Sequence, residues 1–269
     1  HFVVQDYFPP TKYPVTEKPC KIITAVAMFY DLDDPGAFLE ECKRWLHPEG
    51  VLVLQFQDLG SMLASNAIDN VCHEHLTYWS IYPLAELLDR HGLWLRGWDW
   101  VAINGRSLRV RVEHLRSPRP CLEIDFREEE ATELTAFAER VRRNKDEMVD
   151  LLCRLKAEGK RVYGIAASTK FNTLSQFYGI GPDLIEAIGE RSPEKVGKKT
   201  VTGIPIVSEE EMRAARPDYL LCCAWQFAEA FAERERALLE QGTKLIVPLP
   251  TLKIIGAGTI ASDRPRVVA

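Results

Sequence analysis

Residues 21–28 read Lys-Ile-Ile-Thr-Ala-Val-Ala-Met, and residues 51–56 read Val-Leu-Val-Leu-Gln-Phe. Such nearly continuous apolar runs are typical of strands that are buried on both faces of a sheet. Between them, Asp34 followed by Pro35 is typical of a helix start, and the stretch 47–50 indicates where that helix ends. A strand, a helix and a second strand with short connections predict a βαβ unit, and therefore a parallel sheet.

The α/β pattern continues to about residue 115, and a long helical stretch then follows. The predicted elements are a helix over 83–91, strands over 93–101 and 108–112 with an Asn104-Gly105 turn between them, and a helix over 128–158. In that long helix, Leu134, Val141, Met148 and Leu155 recur every seven residues, which favours packing against a neighbour. We therefore predict a first domain over 1–115 and a connecting helical segment over 116–159.

A second α/β pattern occupies 160–255, and the residues 256–269 are predicted to form a surface tail. The predicted elements are strands over 161–165, 184–188, 219–223 and 244–248, and helices over 168–178, 208–215 and 227–241. Ser208 and Glu211 have the spacing of a capping box at the start of their helix. The alternation predicts a second doubly wound α/β domain.

Composition excludes several classes of protein. The chain has 269 residues, 46% of them hydrophobic, and a formal net charge of −5 without a run of Lys or Arg, which argues against a nucleic-acid partner. No apolar stretch approaches the roughly 18 residues that would span a membrane. The seven cysteines include no CxxC pair, so we expect reduced thiols in a cytoplasmic protein and no metal site.

The densest polar cluster is Cys72-His73-Glu74-His75. A histidine beside a carboxylate suits a general base, because imidazole titrates near neutrality and the carboxylate stabilises its protonated form. We therefore consider His75 a candidate base with Glu74 as its partner, and His73 a structural residue. A metal site is the weaker alternative, because no second set of ligands lies at a suitable spacing.

A second cluster follows the first strand of the second α/β region. Small residues at 164, 166 and 167 lead into a helix that begins with Ser168, Thr169 and Lys170, and the helix N-terminus favours an anion. The stretch matches neither the P-loop nor the usual dinucleotide motif. Glu190 follows the next strand, where a ribose-binding carboxylate would lie. The alternative is an ordinary strand–helix junction with Lys170 in solvent.

Arg106 and Arg109 form a third candidate site. They could neutralise a phosphate or a carboxylate, although a plain hairpin turn explains the Asn104-Gly105 sequence beside them equally well.

Taken together, these segments resemble the S-adenosylmethionine-dependent C-methyltransferases that act on nucleotide-linked deoxysugars. The resemblance rests on the sequences at 27–34, 73–78, 104–109, 163–172 and 203–207. It implies a zinc-binding N-terminal module, a class I methyltransferase domain and a C-terminal domain that binds the nucleotide sugar. The fold class expected is thus α/β, with a partial class I methyltransferase (Rossmann-like) sheet followed by a second doubly wound domain.

The resemblance also implies where the cofactor binds. The main S-adenosylmethionine loop and the zinc module would precede His1, and only Ala25, Val26 and Ala27 would border the cofactor. We therefore expect that an N-terminal portion is missing and that this chain alone binds the cofactor poorly.

By position, His75 resembles the family's base, which removes a proton next to a ketone, and Glu74 lies beside it. The resemblance further implies that Ser168, Lys170 and Asn172 contact the pyrophosphate and nucleotide. The remaining predicted substrate residues are Cys72, Tyr78 and Arg106. Cys72 stands where the family has a tyrosine, and Phe29 stands near a family histidine, so neither supplies the family's hydrogen-bond donor.

The sequence therefore favours a C-methyltransferase with a small-molecule substrate, a nucleotide-linked keto sugar or a similar compound. Two alternatives stay open. One is an NAD(P)-binding oxidoreductase that uses Glu190, and the other is a non-catalytic nucleotide-sugar-binding subunit.

Overall fold

The computed structural model describes residues 5–9, 19–101, 106–115 and 127–257, with the backbone alone for 127–132. The chain divides into two compact units. Unit 1 comprises His1–Leu63 and His73–Glu133, and unit 2 comprises Ala64–Cys72 and Leu134–Ala269. The predicted Asn104-Gly105 turn and most of the predicted tail lie outside the described residues.

Unit 1 contains a four-stranded mixed sheet. Its strands are β1 (Cys20–Val26), β2 (Leu46–Phe56), β3 (Leu93–Val101) and β4 (Ser107–His114), and its helices are α1 (Pro35–Trp45), α2 (Leu59–Ala64) and α3 (Ile81–Arg90). The strand order is β1-β2-β4-β3, with β1 parallel to β2 and with β4 antiparallel to both of its neighbours. The predicted βαβ unit is therefore confirmed.

Local sequence explains how this βαβ unit forms. The Asp34 carboxylate accepts a hydrogen bond of 2.9 Å from the Ala37 N–H, and Pro35 occupies the first helical position. β2 begins at Leu46, five residues before the predicted start, because pairing with β1 extends back to the Cys20–Leu46 pair beyond an irregularity in register. Gly50 permits this approach, since a Cβ there would lie 2.8 Å from the Cys20 carbonyl oxygen.

Unit 2 contains a six-stranded sheet of order β10-β9-β8-β5-β6-β7, parallel except for β10. The strands are β5 (Val162–Ile165), β6 (Ile188–Glu190), β7 (Ile206–Ser208), β8 (Tyr219–Cys222), β9 (Lys244–Val247) and β10 (Lys253–Ile255). The helices are α4 (Arg127–Ala157, assigned to unit 2 from Leu134), α5 (Thr169–Tyr178), α6 (Glu209–Ala214), α7 (Ala228–Arg234) and α8 (Arg236–Glu240). The α/β fold class is confirmed in both units, and the Ser208–Glu211 capping box is present.

Two predicted elements of unit 2 were wrong in detail. The strand predicted over 184–188 lies at Ile188–Glu190, where it pairs with both β5 and β7. The helix predicted over 227–241 is divided at Glu235 into α7 and α8. The buried Glu235 carboxylate accepts hydrogen bonds from Arg213 and Arg234, which holds the chain at the break.

The short segment Ala64–Cys72 is fixed within unit 2 by side-chain hydrogen bonds. The Asn66 amide donates to the Pro250 carbonyl oxygen at 2.8 Å, and the Arg140 guanidinium on α4 donates to the Asn66 side-chain oxygen at 2.8 Å. The segment contains a 3-10 turn, Ile68–Asn70, that packs on α5.

Candidate active site

The predicted cofactor residues lie at the carboxyl end of β1. Ala25 is buried, Val26 is 56% exposed, and Ala27 has a positive φ of 53° while its N–H donates to the Gln55 carbonyl oxygen at 2.8 Å. Ligands of parallel α/β sheets bind outside the carboxyl ends of the strands. Small side chains at this place leave room for a ligand to approach the backbone, so these residues fit a role at the border of a cofactor.

His75 lies half-buried against the 3-10 turn Phe29–Asp31, which follows β1. Its ring centroid is 4.4 Å from that of Tyr30. The loop that carries His75 is held to the turn because the Leu76 and Thr77 N–H groups donate to the Tyr30 carbonyl oxygen at 2.9 and 3.1 Å. The imidazole therefore has a defined position close to the end of β1.

Asp31 is a further candidate site residue, which sequence reasoning missed. Partial burial raises the pKa of the Asp31 carboxyl, the charge of His75 lowers it, and the charge of Glu74 raises it. Asp31 is thus electrostatically coupled to His75, whereas the Glu74 and His73 side chains are exposed. The sequence feature that could have identified Asp31 is its position directly after Tyr30, within the segment 27–34 that carries the family resemblance.

Phe29 is a core residue. It is fully buried, and its ring centroid lies 5.4 Å from that of Trp79, 6.0 Å from Phe38 and 6.2 Å from Phe56. Aromatic rings at such distances stabilise each other beyond simple burial. Packing therefore explains the aromatic residue at this position.

The remaining candidates of unit 1 lie apart from this turn in the sequence. Arg106 precedes β4 with a φ of 93°, and its guanidinium carbon is 4.6 Å from the centroid of the Trp100 ring. Arg109 donates to the Asp99 carboxylate at 2.6 Å, so part of its donor capacity is already used. Tyr78 is 36% exposed in the loop that follows His75.

In unit 2, the turn between β5 and α5 is tightly organised. Ala166 has a φ of 68°, and the Ser168 hydroxyl accepts from the Phe171 N–H and donates to the Cys223 carbonyl oxygen, both at 3.1 Å. Ser168 is therefore the N-cap of α5, and its hydroxyl joins the helix start to the end of β8. Gly164 is required on β5 because a Cβ there would lie 2.8 Å from the Ile188 side chain.

Glu190 holds the same turn from β6. Its carboxylate accepts hydrogen bonds from the N–H groups of Ala167 (2.9 Å), Arg191 (2.8 Å) and Ser192 (2.9 Å). Burial raises the pKa of Glu190, but these donors and the nearby Lys195 ammonium outweigh it, and the net pKa is lowered. Both oxygens of the Glu190 carboxylate therefore already accept hydrogen bonds from the backbone. This argues against Glu190 as the ribose-binding carboxylate that an NAD(P)-binding oxidoreductase would require.

Lys170 and Asn172 have different neighbours. Lys170 is coupled electrostatically to Asp69 and Cys72 of the segment Ala64–Cys72, whereas the Asn172 side-chain oxygen accepts a long hydrogen bond of 3.4 Å from the Val201 N–H. Positions i and i+2 of a helix do not face each other. The structure thus brings Cys72 and Lys170 together and places Asn172 beside another loop.

Across the described ranges, no group of three or more His, Cys, Asp or Glu side chains is arranged to hold a metal ion. None of the helices in those ranges combines the length and the apolar character that crossing a membrane requires.

Comparisons with known proteins support a single family. A family model described as the C-methyltransferase C-terminal domain matches residues 102–250, and a methyltransferase domain model matches residues 1–96. The C-methyltransferase NovU of Streptomyces niveus is 29% identical over 239 residues, which is 85% of this chain. The chain spans 57% of the length of that relative.

Three solved structures resemble part of the chain. One is a complex between the Haloferax volcanii Trm112 methyltransferase activator and the putative methyltransferase. The similarity covers 40% of this chain and 60% of the matched chain, with 15% identity and a TM-score of 0.33. The O-methyltransferase NcsB1, solved with S-adenosyl-L-homocysteine and 1,4-dihydroxy-2-naphthoic acid, covers 38% and 31%, with 22% identity and a TM-score of 0.31. TnmH covers 38% and 32%, with 22% identity and a TM-score of 0.29. Because these TM-scores are below 0.5, we draw no conclusion from them.

The match to the C-terminal domain model extends over more than half of the chain and includes the β5–α5 turn, Glu190 and Lys170. On this finding, the chain belongs to the C-methyltransferase family.

Proposed function

We propose that this protein is an S-adenosylmethionine-dependent C-methyltransferase in which His75 acts as the general base. The observation that carries the proposal is the position of His75, half-buried against Tyr30 and coupled to Asp31 beside the carboxyl end of β1. A base needs a fixed position and a pKa adjusted by its neighbours. Membership of the C-methyltransferase family supports the reaction class.

The substrate we propose is a ketone, carried by a nucleotide-linked sugar or a similar compound. A carbon becomes nucleophilic when a base removes its proton and the electron pair moves onto the neighbouring ketone oxygen, giving an enolate. His75 takes that proton onto its imidazole nitrogen, and the enolate carbon then forms the new bond to the methyl group. S-Adenosylmethionine, when bound, supplies that methyl group from a positively charged sulfur, which becomes a neutral thioether.

Unit 2 supplies the nucleotide-binding part of the proposal. The N-terminus of α5 favours an anion, and Lys170 adds a positive charge in its first turn. These features suit the diphosphate of a nucleotide sugar, with Ser168 holding the helix start in place.

The cellular location we propose is the cytoplasm. The described cysteines are free thiols, which suits a reducing compartment.

The test is methyl transfer by the protein as its natural gene encodes it, using S-adenosylmethionine with a labelled methyl group and a nucleoside-diphosphate keto sugar. His75→Gln should lower the rate about 10²- to 10⁴-fold, the usual contribution of a general base. His73→Gln is the matched control, because His73 is an exposed histidine two positions away, and its rate should be unchanged.

Equal rates for His75→Gln and the wild type would contradict the proposed base. Binding of the nucleotide sugar without any methyl transfer by the wild type would favour the non-catalytic binding subunit.

A further inference from the structure

The segment Ala64–Cys72 belongs to unit 2, although the chain on both sides of it belongs to unit 1. The chain enters the segment after Leu63 and returns to unit 1 at His73, and His75 follows two positions later. The residues 71–75 form neither a helix nor a strand, so no regular hydrogen-bond pattern of their own fixes this stretch. The position of His75 therefore depends on what holds the chain before and after it.

Buried hydrogen bonds hold the chain on the amino side of His75. Asp69, six positions earlier, is 1% exposed, and its Oδ2 atom accepts from the Trp225 indole N–H at 2.9 Å and from the Gln226 amide at 3.1 Å. Both donors belong to the 3-10 turn Trp225–Phe227 that follows β8. Losing a buried acceptor would leave these donors unpaired, which costs more than the bonds themselves contribute.

The contact of Asp69 does not require a charge. Both hydrogen bonds end on one oxygen atom of the side chain. Burial raises the pKa of Asp69, and a protonated carboxyl retains a carbonyl oxygen that accepts two donors. An asparagine side chain offers the same acceptor in the same shape. The contact is therefore a hydrogen-bonded anchor that works in either protonation state.

Asn66 provides a second anchor, at the start of the segment. It is 7% exposed, its amide donates to the Pro250 carbonyl oxygen at 2.8 Å, and its side-chain oxygen accepts from Arg140 at 2.8 Å. Its φ of 51° is a conformation that asparagine adopts more readily than most residues. Asn66 thus fixes the beginning of the segment, and Asp69 fixes the part nearer to His75.

We infer that Asp69 is a positioning residue for the proposed base: through its hydrogen bonds to Trp225 and Gln226, it fixes the chain on the amino side of His75, as the Tyr30 carbonyl oxygen fixes it on the carboxyl side. A base has to lie within hydrogen-bond reach of the proton that it removes, and a displacement of about 1 Å can lower a rate about 10²-fold. The role of His75 as a base rests on the proposed function, whereas the fixing of its position by Asp69 does not.

The first experiment measures kcat and KM for methyl transfer by the protein as its natural gene encodes it, with a nucleoside-diphosphate keto sugar. Asp69→Leu removes the acceptor and Asp69→Asn retains it, while Trp225→Phe removes one donor and keeps an aromatic ring. Trp45→Phe is the matched control, because the Trp45 indole N–H is buried and has no hydrogen-bond partner among the described residues. Circular dichroism shows which variants are folded at the assay temperature, and Trp225→Phe decides the question if Asp69→Leu does not fold.

Asp69→Leu should lower kcat about 10- to 100-fold through displacement of the base, while the KM for the nucleotide sugar stays unchanged. Trp225→Phe should lower kcat by a smaller factor, because the Gln226 bond remains. Asp69→Asn and Trp45→Phe should keep the wild-type kcat. An unchanged kcat in Asp69→Leu, a higher KM as its only effect, or equal losses in Asp69→Leu and Asp69→Asn would overturn the inference.

A separate measurement distinguishes failure of the inference from failure of the proposed function. Nuclear magnetic resonance of the 269-residue chain with ¹³C-labelled histidine reports on His75 without turnover, and His75→Gln identifies its signal. In Asp69→Leu this signal should shift or broaden, whereas that of His91, which is bonded to Glu40, should not. Absence of methyl transfer by the wild type would refute the proposed function alone. An unchanged His75 signal in Asp69→Leu would overturn the inference.

Discussion

Each unit places an alanine with positive φ directly after its first strand, Ala27 after β1 and Ala166 after β5, with φ values of 53° and 68°. This left-handed conformation costs an L-residue about 1–2 kcal/mol. Strain of this kind is concentrated at functional sites. The two turns therefore mark the same kind of location, the carboxyl end of a parallel strand, in two different sheets.

The residues that follow the two turns differ. Ala27 is followed by the 3-10 turn Phe29–Asp31. In this turn, the Tyr30 ring contacts the half-buried His75, and the charge of Asp31 interacts with that of His75. After Ala166 comes a capped helix whose start is fixed by Glu190 and Ser168. The first arrangement presents an imidazole, a side chain that suits proton transfer, whereas the second presents charged side chains and N–H donors, which suit anion binding.

The largest effect is expected from the aromatic cluster beneath the unit 1 turn. Phe29→Ala removes a fully buried ring that contacts three others, and such changes cost about 3–5 kcal/mol of unfolding free energy. Urea denaturation measures the loss, with Phe227→Ala, at an exposed phenylalanine of unit 2, as the control. A loss below about 1 kcal/mol would show that Phe29 does not support the turn.

The second effect separates the roles of the two turns. Lys170→Met should weaken the binding of uridine or thymidine diphosphate about 10- to 100-fold, since it removes a hydrogen bond to a charged group. Calorimetry measures the affinity, and Lys198→Met, at an exposed lysine of the same unit, is the control. Equal affinities for the two variants would contradict the proposal that the α5 turn binds an anion.

The third effect tests whether the unit 2 turn is fixed before ligand binding. Glu190→Gln should lower the free energy of unfolding at pH 7 by about 1–3 kcal/mol, because hydrogen bonds to a charged carboxylate are weakened. Since the pKa of Glu190 is lowered in the fold, its stabilisation is present above its unfolded pKa and is lost as the pH falls through the folded pKa. The difference between variant and wild type in urea denaturation should therefore shrink below about pH 4. A difference that is independent of pH would contradict this assignment.

The smallest effect concerns the partner of His75. Asp31→Asn removes a negative charge that acts on the imidazole, so the acid limb of the pH–rate profile for methyl transfer should move to lower pH. Glu74→Gln should move it less, because Glu74 is exposed. A larger shift in Glu74→Gln than in Asp31→Asn would support the sequence-based prediction that Glu74 is the partner of His75.

Local sequence was sufficient for much of the fold. The apolar runs that form β1 and β2, the Asp34 cap and the Ser208–Glu211 capping box depend on residues close together in the chain, and each was predicted correctly. The candidate residues His75 and Lys170 were likewise named from short motifs.

Long-range contacts account for what was missed. The Asp69 carboxylate accepts a hydrogen bond from Trp225, which lies 156 positions later in the sequence, and no local pattern indicates that pairing. The position of β6 depends on its pairing with β5 and β7, and the break at Glu235 depends on an arginine of α6. Asp31 was missed because its coupling to His75 follows from how a distant loop folds back onto the turn.

The most direct test of the central claim is hydrogen exchange at carbon. A base that removes the proton next to the ketone should exchange it for deuterium in D₂O, detected by mass spectrometry as a gain of one mass unit in a nucleoside-diphosphate keto sugar. We expect exchange with the wild-type chain and with His73→Gln, and none above the uncatalysed rate with His75→Gln. Equal exchange in His75→Gln, or none in a wild-type chain that binds the compound, would contradict the account.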